Sequence, residues 1–77
     1  MIPAQCRAAR AWLDWKQDAL ASASGVGLST IRDFESGKRS PIAANLAAMK
    51  VALERKGIVF VEGDAKGISF VEVNEKV

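Results

Sequence analysis

Histidine is absent from this 77-residue chain, and cysteine occurs once, as Cys6. One thiol cannot close a disulfide within the chain, and a Cys/His zinc site lacks its ligands. Without imidazole the usual general base is missing. Carboxylate or lysine chemistry stays open in principle, but Asp14, Asp18 and Asp33 show no pairing suited to acid–base work. No catalytic residue, no metal and no cofactor is therefore expected. Cys6 reads as a small buried hydrophobe on a helix rather than a redox centre. Long apolar runs are also missing. The longest uninterrupted aliphatic–aromatic stretch is Ile58–Val61, far short of a membrane span. The first residues, MIPAQCRAAR, lack the apolar block of a signal peptide. The expectation is a cytoplasmic protein without a membrane partner.

Close to half of the residues are apolar, enough for one small domain with a thin core. The net charge of +2 is unevenly placed. Residues 1–57 carry nine Lys/Arg against five Asp/Glu, a balance of +4, and residues 58–77 carry two against four, a balance of −2. A domain of +4 is no polycation. It needs an arranged patch to bind a polyanion usefully.

The periodicity predicts four helices. The first runs from about Pro3 to Leu13, with proline in the first turn and Cys6, Ala9 and Leu13 on one face. The second covers about Lys16 to Ser24, or starts earlier if Asp14 and Gln17 form a capping box. Its inward stripe is Ala19, Leu20 and Ala23. Gly25 suits a left-handed helix end, Val26 points back into the core, and Gly27 caps a third helix over about Leu28 to Ser36. Ile31 and Phe34 face inward, and Gly37 ends this helix as Gly25 ends the one before. Ser40-Pro41 reads as a cap followed by proline at the first position of a fourth helix, about Pro41 to Lys56. Ile42, Leu46, Met49 and Leu53 form its inward stripe. Trp12 and Trp15 read as core and helix-packing residues.

Residues 58–77 change character. Ile58–Glu62 and Ile68–Val73 are β-branched and aromatic, with Gly63, Asp64 and Gly67 between them, which predicts a two-stranded hairpin. The final residues, Asn74 to Val77, are expected to fray. The expected fold class is mainly α: four helices over 1–57, followed by a C-terminal β-hairpin extension over 58–77.

Two short helices flanking Gly25 within 17–36 have the spacing of a helix-turn-helix. That element lays one helix across a DNA backbone and a second into the major groove. Gln17, Leu20-Ala21, Gly25-Val26, Ser29-Thr30-Ile31, Phe34 to Arg39 and Pro41 occur together at the spacing of one family. Over about residues 4–57 the chain resembles the lambda-repressor-like, XRE-type (Cro-like) helix-turn-helix proteins. The segment Leu53 to Phe60 resembles the end of many short regulators of that type.

The resemblance implies a sequence-specific transcriptional regulator that reads double-stranded DNA, a near-palindromic operator, as a homodimer. Lys16 and Gln17, at a helix N-terminus, would hold a phosphate, with Lys38 and Arg39 clamping the backbone past the recognition helix. Leu28, Ser29, Arg32 and Asp33 would face base edges. Arg32 would donate to guanine, Leu28 would pack on a thymine methyl, and Asp33 would accept from cytosine or orient Arg32. Arg10 and Glu35 match positions that form an ion pair in the family. The sequence departs from the family pattern at Leu28, where a polar or basic residue is common, and at Gly27, where Ser or Thr is common. Both departures bear on base reading and not on fold. Dimer contact is expected from the hairpin or from helix four. The competing reading is a protein-binding module on the same scaffold, an antitoxin or antiactivator gripping a small protein partner through the C-terminal strands.

Overall fold

Pro3 lacks an N–H, and at the first helical position that lack is harmless. In the computed structural model, which describes residues 1–62 and the backbone of 67–70, helix α1 accordingly spans Pro3–Leu13. Gln5 finishes its start: the side-chain oxygen accepts the Ile2 N–H at 2.9 Å, and the amide nitrogen donates to the Val61 carbonyl at 3.0 Å. One buried side chain thus caps α1 and ties it to the C-terminal strand. Asp14 ends α1 in the left-handed region, φ 58°, with its N–H on the Ala11 carbonyl. This role excludes the alternative in which Asp14 opens the second helix.

Helix α2 is Gln17–Ser24, with Lys16 as N-cap. Leu20 is fully buried and Ala21 packs on the core, whereas Ala23, expected inside, is exposed. Gly25 closes α2 at φ 74°, donating to the Ala21 carbonyl. Ser24 reinforces the turn. Its hydroxyl donates to the Leu20 carbonyl at 2.7 Å and accepts the Val26 N–H at 3.2 Å. Helix α3 then runs Leu28–Glu35 from an N-cap at Gly27, burying Ile31 and Phe34. Gly37, at φ 78°, turns the chain away.

Helix α4 spans Ala43–Glu54, shorter than expected. Its N-cap is Ile42 in extended backbone, so Pro41 lies outside the helix and Ile42 does not join the inward stripe. Ile42 is 69 % exposed, while Met49 and Leu53 are buried and Leu46 packs on the core. A side chain on an extended N-cap points off the helical stripe that its sequence spacing suggests. Trp12 is also corrected: it is 60 % exposed on α1, and Trp15 alone packs on the core.

Strand β1, Ile58–Val61, alternates buried and exposed residues and sends Ile58 and Phe60 into the same core. Strand β2, Gly67–Phe70, lies antiparallel to it, with Ile58 opposite Phe70 and Val61 opposite Gly67. The expected fold class is corrected here. The fold is a mainly α four-helix bundle, and the hairpin expected over 58–77 does not stand as a β-unit after it. Of the expected second strand, Ile68–Val73, the described part lies in β2, Gly67–Phe70, and the remainder lies outside the described residues. The expected turn at Gly63–Asp64 and the frayed end lie outside the described residues. The physical reason is burial: so short a pair of strands cannot enclose a core, and β1 packs on α4 and is tied to α1 through the Gln5 side chain.

The core is thus one cluster, with Cys6 and Ala9 from α1, Leu20 from α2, Ile31 and Phe34 from α3, Met49 and Leu53 from α4, and Ile58 and Phe60 from β1. Each large aliphatic chain fully buried there contributes about 1.5–3 kcal/mol. No described helix is long and apolar enough to cross a membrane.

Candidate nucleic-acid interface

Helix α3 has two polar populations with opposite fates. At its C-terminal end Glu35 is 3 % exposed. A carboxylate there opposes the helix dipole and loses water, so it needs strong compensation. Arg10 supplies it through two hydrogen bonds, Nε to Oε2 at 2.7 Å and Nη2 to Oε1 at 2.6 Å. Gln17 Nε2 donates to Oε1 at 3.0 Å, and Cys6 Sγ donates to Oε2 at 3.1 Å. Arg7 donates to the Glu35 carbonyl, satisfying a helix-end acceptor. The remaining arm of Arg10 donates to the Trp15 carbonyl at 2.9 Å.

This network binds α1, the α1–α2 connection, α2 and the end of α3 into one rigid unit. Burial raises the Glu35 carboxyl, but hydrogen bonds from Arg10, Gln17 and Cys6 outweigh it and hold the group below its ordinary 4.5. The hydrogen bond to Glu35 raises Arg10 in turn, against the opposing effect of burial. Burial first, then the neighbouring carboxylate, pushes the Cys6 thiol far up, so it stays protonated and acts as a donor.

Gln17, expected at a phosphate, also has a partner within the fold. Its side-chain amide is engaged inside the fold on Glu35, and the exposed group at the start of α2 is Lys16. Sequence reasoning missed Arg7, Gln5 and Ser24. Gln5 had a legible signal, a glutamine three residues after a helix N-cap, and so did Ser24, a hydroxyl just before a terminating glycine. Arg7 had none.

The front and outer side of α3 are different. Ser29 and Arg32 are exposed, and Leu28 and Asp33 are partly so. The strands pack on α1 and α4, whereas α3 packs on α1 and α2, so among the described elements neither strand makes a main contact with α3. Past the helix, Gly37 bends the chain so that the N–H groups of Lys38 and Arg39 both donate to the Asp33 carbonyl, at 2.9 and 3.3 Å. Lys38 and Arg39 are exposed. A hollow of about 100 Å³ lies there, lined by Ser29, Thr30, Asp33, Arg39 and Pro41. The structure thus brings Ser29, Asp33 and Arg39 together, leaves Arg32 on the open side, and sets Lys16 on a separate element.

Among the described residues no group of three or more Cys, Asp or Glu is placed to hold a metal ion. The family profile described as helix-turn-helix matches residues 7–56, which take in α1 to α4 from Arg7 onward. No curated protein matches the chain.

Proposed function

Because the chain belongs to this helix-turn-helix family, whose fold is a DNA-binding one, we propose that it is a sequence-specific transcriptional regulator. In this reading it acts in the cytoplasm as a homodimer on a near-palindromic operator. The observation that carries the reading is the outer side of α3, where among the described residues Ser29 and Arg32 are exposed on a helix whose inner side is locked by Ile31, Phe34 and Glu35. A rigid cylinder with one free polar side is what enters a major groove. Arg32 donates to guanine and Leu28 meets a thymine methyl. Lys16 and Lys38 hold the phosphate backbone on either side.

Two copies place two such helices about one turn of DNA apart. Val51 of α4 and Val59 and Val61 of β1 are exposed apolar side chains available to the contact between copies. Selection from a random duplex pool at two salt concentrations tests the reading. A two-fold motif should be enriched, with affinity falling steeply as salt rises. A pool in which nothing is enriched would leave the chain as a protein-binding module on the same scaffold.

A further inference from the structure

The loop after α3 was expected to touch only the DNA backbone, and the geometry around Asp33 points elsewhere. The backbone N–H groups of Lys38 and Arg39 fold back onto the Asp33 carbonyl, which holds the loop backbone at Arg39 against the end of α3. The two residues share one hollow of about 100 Å³ with Ser29 and Thr30. Among the described residues, Asp33 and Arg39 make no ion pair with each other. An acidic and a basic residue thus border one open space, with two hydroxyl-bearing residues beside them.

A phosphate in that space would meet Arg39 but also the like charge of Asp33. A base-pair edge meets no such conflict. In the major groove a C·G pair presents the cytosine N4 amine, a donor, next to guanine O6 and N7, both acceptors. Asp33 is acceptor-only when ionised, and Arg39 is a rigid fork of donors, so the pair of side chains complements that row in both sign and order.

We propose that the hollow between α3 and the following loop is a base-reading site for one C·G pair, in which Asp33 accepts from cytosine and Arg39 donates to the guanine opposite. Arg39 is then a specificity-determining residue and not a backbone clamp. This site is separate from Arg32, which reads another position. The inference rests on the DNA-regulator reading above.

Selection from a random duplex pool with the wild type and with D33A, D33N, R39A and the double variant D33A/R39A tests it. D33A and R39A should each lose preference for C·G at the same position, by on the order of tenfold. The double variant should lose little more than either alone. D33N, which can donate as well as accept, should relax the same position if D33A does not fold. If R39A weakens all sequences alike, or if the two single variants relax different positions, the base-reading site is wrong while the regulator reading survives. If the wild type itself enriches nothing, both fall together.

Discussion

The two polar ends of α3 differ in what surrounds them. Glu35 is enclosed by Cys6, Arg10 and Gln17, accepts four hydrogen bonds from them and is 3 % exposed. Ser29 and Arg32, on the same helix, stand in solvent. A helix that must present side chains to a groove needs its own orientation fixed from behind, and the Glu35 network does that with directional bonds where a thin apolar core alone would allow sliding. Substitutions behind the helix should therefore act on stability, and those in front on binding.

The largest effect tests the first half of that contrast. Glu35→Ala strands the partly buried Arg10 and should cost about 3 kcal/mol of unfolding free energy, read by urea titration. An unchanged midpoint would show that the network does not hold the helix. The same group sets an acid limb. Its folded-state pKa lies below the ordinary 4.5, so the unfolded chain binds more protons in the interval between. The stability it confers is complete above 4.5 and drains away as pH falls through the lower, folded value. Glu35→Gln should flatten that part of the stability–pH curve.

The second half of the contrast is sharpened by Arg32→Ala. Its thermal midpoint should stay within about 0.5 kcal/mol of wild type, while discrimination at one guanine falls by about 1–3 kcal/mol. A stability loss as large as that of Glu35→Ala would erase the distinction between the two ends.

Gly25→Ala sits between them, at the turn joining α2 to α3. An added Cβ meets nothing within 4 Å, so any penalty comes from the positive φ of 74° alone, about 1 kcal/mol. A much larger loss would mean that the turn is packed more tightly than its surroundings indicate. Least affected should be Ile42→Ser, within about 0.5 kcal/mol by thermal denaturation, because that side chain is 69 % exposed. A substantial loss would return Ile42 to the core.

Much of this fold is legible in local pattern. Ile31, Phe34, Met49 and Leu53 recur at helical spacing and are buried. Gly25, Gly37 and Gly57 stand at the ends of the helices they close, all at positive φ. Pattern failed where one residue had two meanings. Ile42 matches the helical stripe but lies one residue before the helix, and the Ser40-Pro41 pair mimics a cap that the chain does not use. Trp12 carries an apolar signature, yet on α1 it is 60 % exposed. The C-terminal alternation located β1 and part of β2, but strand propensity cannot tell a self-standing hairpin from a segment held by helices.

From the candidate site, the positions of Leu28, Ser29 and Arg32 on the outer side follow from the same periodicity that buries Ile31 and Phe34. Gln17 illustrates the opposite case. Its place at the start of α2 was readable, but its amide is drawn inward by a carboxylate 18 residues away in sequence.

The order of the helices, their inner sides and their glycine ends were determined by sequence alone, because each depends on neighbours within a turn or two of backbone. Only the tertiary structure decided that Glu35 gathers Cys6, Arg10 and Gln17, that Gln5 holds β1, and that Asp33 and Arg39 border a common space. Hydrogen bonds of that kind depend on distances between helices, which no local spacing encodes. They are set when the shared core of Leu20, Ile31, Met49 and Leu53 closes and leaves each polar group either a partner or water.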